Sequence, residues 1–305
     1  MLHIKSLDEG LEVFKALGSD IRVDIIKLLL KNKGMSMNEL AASLNITNGA
    51  LTSHIKKLED CGIVSIVNEP AVHGNQKTCM VWLDKILIDL DTTDTHKNIY
   101  ETEIRIGHYT NFQIHPICGL ATAYRFVGEV DDPRYFTHPD RVDADILWFN
   151  KGYIEYVIPN FVPAYQKIDQ LSICAEIGTK APETSSSVPA VIDFMLNDTP
   201  IGSWRSPGDF ADNTSGIFTP DWWYRNWKQY GMLKNITINN NGTFLDGLKI
   251  SSVSLKDFML DYKSTIKFRF SIDSEAEHTG GITIFGRNFG NYNQNINIRI
   301  HYSPM

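Results

Sequence analysis

The spacing of the apolar residues changes once along this chain, near residue 100. Before that point apolar residues recur every three or four positions, which is typical of helices that bury one face. After it they alternate with polar residues in about nine short segments separated by Gly, Pro, Asn and Asp, which is typical of antiparallel strands. Since the chain has 305 residues, longer than most single domains, the two patterns predict two domains.

Residues 7–62 are predicted to form consecutive short helices. The apolar stripe of the first helix consists of Leu7, Leu11, Phe14 and Leu17. The second helix begins at a Ser-Asp cap and ends near Gly34, because glycine readily adopts the left-handed conformation that closes a helix. The third begins with Ser36 and Glu39, which have the spacing of a capping box. A three-residue connection, 45–47, leads into a fourth helix.

The fourth predicted helix, in "NITNGALTSHIKKLEDCG", has two faces of different chemistry. Its apolar stripe consists of Leu51, Ile55 and Leu58. Its opposite face consists of Gly49, Thr52, Ser53 and Lys56, and is therefore small, hydroxyl-bearing and basic. No acidic residue occurs from position 46 to position 58. Such a face suits close approach to a polyanion.

Two short helices joined by three residues, then a strand, a polar loop and a strand, form a winged helix-turn-helix. The second helix of this motif enters the major groove of DNA. Hydroxyl and amide side chains can bond phosphates or base edges there, and lysines contact the phosphate backbone. The predicted DNA-contacting residues of the helix and the wing tip are Thr47, Asn48, Gly49, Thr52, Ser53, His54, Lys56, Lys57, His73, Asn75, Gln76 and Lys77.

We therefore predict a multidomain α+β protein. A winged helix-turn-helix domain spans residues 1–91, a linker containing "TTDTHKN" spans 92–100, and a mainly antiparallel β-sandwich or jelly roll spans 101–305. Residues 1–83 contain nine basic and nine acidic side chains, so the net charge of −7 lies in the remainder. The acidic balance of the whole chain therefore does not exclude DNA binding, which depends on local charge.

The N-terminal quarter of the chain resembles the ArsR/SmtB family of bacterial winged-helix repressors. The resemblance rests on "FKALGSDIRVDIIKLLL", "NELAASL" and "SHIKKLEDCGIV", which occur in the order and spacing of that family. It implies a homodimer that binds a near-palindromic operator in double-stranded DNA.

Members of that family often sense metal ions, but their ligand sets are not evident in this sequence. The position of their Cys-x-Cys pair is occupied by Met-Ser-Met at 35–37, and neutral thioethers are poor zinc ligands. The nearest match to their second site is Asp94, His96, His108 and Asn111. Its spacing is off by one position and its last member is an amide. His115 and Cys118 are too few for a tetrahedral site, so we predict no metal and no cofactor.

The second domain has its densest aromatic content in "GSWRSPGDF" and "FTPDWWYRNWKQYG". Sugars pack their flat faces on aromatic rings while charged side chains orient their hydroxyls. The predicted ligand-contacting residues are Trp204, Arg205, Asp209, Trp222, Trp223 and Trp227. In architecture the domain resembles jelly-roll carbohydrate-binding modules. Trp223, Trp227 and Tyr230 also have the spacing of a helical turn that covers a sandwich, so core packing remains an alternative.

These observations predict a cytoplasmic bacterial one-component transcriptional regulator, not an enzyme, whose sandwich senses a small molecule, with a carbohydrate as the expected ligand. A cytoplasmic location fits four cysteines without C-x-x-C, and no apolar run is long enough for a membrane span. Two alternatives remain open. One is a jelly-roll carbohydrate-active enzyme fused to a DNA-binding domain, with Glu155, Glu176 and Asp209 as candidate carboxylates. The other is a sandwich that serves only dimerisation.

Overall fold

The computed structural model of the chain describes residues 2–4, 6–32, 34–71, 74–81, 83, 86–88, 98–179, 190–206, 215–272 and 280–305. The chain forms two compact units, Met1–Asp94 and Thr95–Met305. Their division lies inside the linker predicted at 92–100. Most of that linker is outside the described residues, and its last two residues already belong to a strand of the second unit.

The described residues of the first unit form four helices: α1 (Leu11–Leu17), α2 (Asp20–Asn32), α3 (Met37–Leu44) and α4 (Asn48–Asp60). The predicted capping box of α3 is confirmed, because the Ser36 hydroxyl accepts the Glu39 N–H and the Glu39 carboxylate accepts the Ser36 N–H. Helix α3 ends at Asn45, whose φ of 52° is left-handed, so the three-residue connection to α4 is also confirmed. No helix among the described residues combines the length and apolarity that a membrane crossing requires.

The first helix differs from its prediction. Leu7 lies in a turn before α1, and Leu7 and Leu11 are 39% and 50% exposed, whereas the buried residues of α1 are Val13 and Ala16. Close packing at the start of the helix accompanies this difference, because a Cβ at Gly10 would lie 2.7 Å from the Phe14 ring and 2.9 Å from the Ile4 side chain. Only a glycine leaves room there for Ile4 and Phe14 to pack together, and Val13 and Ala16 are the α1 residues that become buried.

The wing is the hairpin of β3 (Ser65–Ala71) and β4 (Gly74–Met80), and β2 (Met35–Ser36) pairs with the outer side of β4. A further pair was not predicted: β1 (Leu2–Ile4) runs parallel to β5 (Ile86–Ile88), within the predicted first domain. The core beneath these elements includes Ile25, Leu29, Leu40, Leu51, Ile55 and Leu58.

Within the part of the second unit that the structure describes there are twelve strands, which confirms the predicted antiparallel β-sandwich. They are β6 (Ile99–Ile104), β7 (Asn111–Ala121), β8 (Ile146–Ile158), β9 (Gln166–Gly178), β10 (Val191–Leu196), β11 (Thr199–Arg205), β12 (Met232–Asn239), β13 (Gly242–Leu245), β14 (Leu248–Ser251), β15 (Ile266–Ile272), β16 (Ile282–Phe285) and β17 (Ile296–Pro304).

All pairings among these strands are antiparallel. The strand order is β11-β10-β15-β8-β16-β9-β12-β13-β14, with β7 beside β8 and with β17 between β9 and β6. The short strand β16 pairs with both long strands, β8 and β9. It therefore joins the two sides of the sandwich into a near-barrel. Alternate side chains from both faces, such as Phe149, Ile173 and Phe270, fill the interior.

Candidate functional site

Helix α4 is fixed to the first unit through one face. Leu51, Ile55 and Leu58 are 0%, 1% and 0% exposed, which confirms the predicted stripe. The residues predicted for the other side of α4 are exposed, namely Thr47, Asn48, Gly49, Thr52, Ser53, Lys56 and Lys57. Since nothing lies within 4 Å of a Cβ built at Gly49, packing does not require a glycine there. A smooth, small face is thus presented to solvent at the start of the helix.

His54 is the member of the predicted set that lies between the two faces. It is partly buried, and its pKa is lowered by burial and by the positive charges of Arg22 and Lys57. A neutral imidazole at this position favours packing over a phosphate contact.

The first turn of α4 is held by side-chain hydrogen bonds. The Thr47 hydroxyl accepts the Ala50 N–H at 3.3 Å, and the Thr52 hydroxyl donates to the Asn48 carbonyl at 2.8 Å. The Asn48 side-chain amide donates to Oδ1 of Asn38, on α3, at 3.1 Å. Asn38 is exposed and was missed by the sequence reading, because its contact depends on how α3 crosses α4.

A groove of about 480 Å³ lies between α4, the start of α3 and the wing. Its lining residues are Met37, Asn38, Asn48, Thr52, Ile55, Lys56, Glu59, Asp60, Ile66 and Lys77. The two lysines come from α4 and from β4, so helix and wing contribute positive charge to one surface. Glu59 and Asp60 lie at the C-terminal end of α4, where they would repel a phosphate backbone. The charge pattern therefore favours contact through the N-terminal half of α4.

The remaining wing residues are only partly described. Asn75 and Gln76 lie in β4 by backbone, and their side chains are outside the described set, as is the whole of His73.

Most of the tryptophans predicted to contact a ligand in the second unit are buried, as the core-packing alternative expected. Trp223 and Trp227 are 2% and 6% exposed, and belong to an aromatic cluster with Trp148, Phe285 and Phe289. Trp148 lies on the face of β8 opposite the sandwich interior, since its neighbours at 147 and 149 belong to the main core. The aromatic cluster is therefore a second core, in which residues 215–231 cover one outer face of the sandwich.

The segment around Trp223 is also not helical. It consists of turns, in which the Trp223 N–H donates to the Pro220 carbonyl at 3.0 Å and the Trp227 N–H donates to the Tyr224 carbonyl at 2.9 Å. Two successive turns direct both rings inward. Side chains four positions apart therefore point to the same side here, as they would in a helix.

Trp204 and Arg205 lie on opposite faces of β11, so they do not converge on one site. Trp204 is 8% exposed and its ring lies 4.6 Å from the Lys234 ammonium, whereas Arg205 is exposed. The pocket beside Trp204, Lys228 and Tyr230 holds about 30 Å³, which is too small for a sugar ring. Asp209 is outside the described residues.

Three aromatic side chains remain at the surface beside the aromatic cluster, and we call them the aromatic rim: Tyr124, Trp222 and Tyr224. Tyr124 is 89% exposed, Tyr224 is 54% exposed and Trp222 is partly buried. The Trp222 indole N–H donates to the Ala123 carbonyl at 2.6 Å, which fixes the turn that carries Tyr124. Phe126 lies beneath the rim, 5.2 Å from the Trp222 ring and 6.2 Å from the Tyr224 ring. Tyr124 was missed because it lies far away in sequence.

Glu155 and Glu176, the two described carboxylates that were candidates for acid-base chemistry, both accept several hydrogen bonds within the protein. Glu155 bonds the Arg269 guanidinium at 2.5 and 3.0 Å. Glu176 is fully buried and accepts the backbone N–H groups of Gly231, Asn291 and Tyr292 at 2.8 to 3.0 Å. Burial raises the pKa of Glu176 to about 8, although these three donors act in the opposite direction.

The residues compared with metal sites are dispersed. The Met37 sulfur accepts a hydrogen bond from the buried Cys79 thiol at 3.5 Å, and His108, Asn111 and His115 are exposed. Cys118 is fully buried, which raises the pKa of its thiol to about 12. Asp94 and His96 are outside the described residues, and within the described set no three His, Cys, Asp or Glu side chains gather in a metal-binding group.

Comparison with known proteins gives a match for the first unit. Residues 19–65 match the family described as winged helix-turn-helix DNA-binding. The uncharacterized protein MJ0432 of Methanocaldococcus jannaschii is 39% identical over 64 residues, which are 21% of this chain and 68% of that protein. Residues 19–65, which match the family, contain α2, α3 and α4, and the last two of these helices line the groove.

Two solved structures resemble the separate units. A possible transcriptional regulator from Methanosarcina mazei Go1 has a TM-score of 0.22 and 16% identity, covering 24% of this chain and 64% of that chain, less than two thirds of its length. The CBM36-1 domain of a multidomain xylanase, from the hindgut metagenome of Trinervitermes trinervoides, has a TM-score of 0.28 and 8% identity, covering 68% of this chain and 100% of that chain. At such TM-scores neither similarity supports an inference about function.

Proposed function

Because the chain belongs to the same family as MJ0432 and begins with a winged helix-turn-helix DNA-binding domain, we propose that it is a ligand-responsive transcriptional regulator of the ArsR/SmtB type. The observation that most directly supports this proposal is the exposed, small and basic face of α4, which lines a groove together with Lys77 of the wing. In this proposal a homodimer binds a near-palindromic operator, since two-fold symmetry in the protein matches two half-sites.

Lys56 tests the DNA-binding part of the proposal. It is exposed and lines the groove, which supports a phosphate contact in this proposal. We expect Lys56→Ala to weaken binding to every duplex and to reduce the slope of log K against log salt by about one unit, since one fewer counterion is released. The measurement is fluorescence anisotropy with labelled duplexes from 50 to 200 mM salt.

Lys27→Ala is the matched control. Lys27 is exposed on α2 and pairs with Asp24 at 3.0 Å, outside the groove. Its removal should leave affinity and salt slope at wild-type values. Equal behaviour of the two lysine variants would contradict the assignment of α4 as the DNA-reading helix.

We also propose that the sandwich binds a neutral mono- or oligosaccharide at the aromatic rim. Tyr124 and Tyr224 are both exposed, and the Phe126 ring stacks against the Tyr224 ring at 6.2 Å. Arg125, Asp221 and Arg225 are exposed beside these rings, as charged groups that can orient hydroxyls. The sugar would alter transcription by binding two states of the protein with different affinity.

Thermal unfolding of the full chain with a panel of neutral sugars tests this part. A ligand at 100 times its Kd stabilises the folded protein by about 2.7 kcal/mol, which raises the melting temperature measurably. We expect Tyr124→Ala to abolish that rise. Tyr165→Ala is the control, because Tyr165 is 81% exposed on the loop between β8 and β9. A rise that persists unchanged in Tyr124→Ala, or no rise with any sugar, would remove the aromatic rim as the sugar site.

A further inference from the structure

We propose that Asn48 reads an adenine in the major groove, and that Asn38 is the positioning residue that sets this preference. The inference rests on the proposed DNA-binding function and adds to it the base that is recognised and a residue outside the recognition helix. The winged helix-turn-helix motif does not by itself assign these roles to the two asparagines. The roles depend on a hydrogen bond between a side chain of α3 and a side chain of α4.

The hydrogen bond between the two side chains fixes the orientation of the Asn48 amide. Asn48 Nδ2 donates to Asn38 Oδ1 at 3.1 Å. With the Asn48 amide rotated by 180°, two carbonyl oxygens would face each other, which is repulsive because neither can donate. The structure therefore favours one of the two orientations that an isolated exposed asparagine could adopt.

The backbone beneath Asn48 is fixed as well. The Thr52 hydroxyl donates to the Asn48 carbonyl at 2.8 Å, and the Thr47 hydroxyl caps the Ala50 N–H at 3.3 Å. Asn48 is the first residue of α4, is exposed, and lines the groove with Thr52 and Lys56. A side chain restrained at both ends loses little conformational freedom when it binds, which favours specific recognition.

The groups that remain free on Asn48 match one base. After the bond to Asn38 the amide still has one N–H donor and the Oδ1 acceptor. Adenine presents an acceptor at N7 and a donor at N6 in the major groove, whereas guanine presents acceptors at both N7 and O6. Asn48 can therefore satisfy adenine with two hydrogen bonds, but would oppose its Oδ1 to an acceptor of guanine.

The experiment begins with selection of duplexes by the full chain from a library with a randomised central region. The selected duplex is then altered at each adenine, to guanine or to 7-deazaadenine, which lacks the N7 acceptor. We expect one adenine in each half-site at which guanine reduces wild-type affinity about 5-fold to 150-fold, the range for one bidentate contact. In Asn48→Ala that discrimination should disappear at the same position.

Variants at Asn38 separate positioning from folding. Asn38→Ala should reduce the discrimination at that adenine, whereas Asn38→Asp should retain it, because aspartate keeps the accepting oxygen at the same place. Asn32→Ala is the control, since the Asn32 amide bonds the Leu28 carbonyl at 2.9 Å on α2 and does not line the groove. It should keep the wild-type preference, and melting temperatures should show that all variants fold.

The possible outcomes are distinguishable. If the wild-type chain selects no duplex, the proposed DNA-binding function fails. If it selects a duplex whose salt slope depends on Lys56, but no adenine depends on Asn48, the function stands and the adenine inference is overturned. If the adenine depends on Asn48 and Asn38→Ala keeps the full preference, the positioning role of Asn38 is overturned.

Discussion

Replacing Asp246 with asparagine should lower the free energy of unfolding of the second unit by about 3–5 kcal/mol, the usual cost of removing one partner of a buried ion pair. Asp246 lies 2.9 Å from the Lys234 ammonium, and the two side chains are 3% and 4% exposed. The substitution would leave an unpaired buried charge beside the Trp204 ring, which is 4.6 Å away and compensates only in part.

Asparagine is the appropriate substitution because it changes little else. Asp246 has a φ of 50°, which asparagine tolerates and alanine does not. Its Oδ1 also accepts the Asn235 N–H at 3.0 Å, and an asparagine side chain can still do so. The measured loss therefore reports the unpaired lysine.

Urea unfolding followed by tryptophan fluorescence measures this loss, since five of the six tryptophans belong to the second unit. Asp140→Asn is the control in the same unit, because Asp140 pairs with Arg125 at 2.6 Å with side chains 41% and 67% exposed. It should cost less than about 1 kcal/mol. Adding Lys234→Met to Asp246→Asn should restore much of the stability. Equal losses in the two single variants would contradict the burial argument.

The stabilising contribution of Glu176 should fall as the pH rises. Burial raises its pKa from 4.5 to about 8 in the folded protein. Between these values the unfolded chain has released the proton while the folded chain still holds it, so folding takes up a proton. The free energy of unfolding therefore decreases with pH across this window, by at most about 1.4 kcal/mol per pH unit. The stabilising contribution of Glu176 is fully present below pH 4.5.

Comparison with Glu176→Gln at pH 5, 6, 7 and 8 isolates this effect, because glutamine does not titrate. We expect the difference in unfolding free energy between wild type and variant to narrow as the pH increases. A constant difference would show that the carboxylate stays ionised when folded, with the N–H groups of Gly231, Asn291 and Tyr292 outweighing the cost of burial.

Features governed by neighbours in sequence were predictable from the residues alone. The two faces of α4, the capping box of α3 and the three-residue connection depend on residues at most a few turns apart. The alternation of the second unit likewise specifies strands, because a strand with one buried face must alternate. Local geometry therefore determined the winged helix-turn-helix and the β-sandwich.

The tertiary structure decided which aromatic residues are core and which remain at the surface. A tryptophan is equally suited to a core and to a sugar site, so its identity cannot distinguish them. Trp223 is buried because turns bring it onto Trp148 of a distant strand, and Tyr124 joins the rim through a bond that spans 99 positions, from Trp222 to Ala123. The contact between Asn38 and Asn48 similarly depends on the angle between two helices, because that angle sets which polar groups meet and which stay free for a ligand.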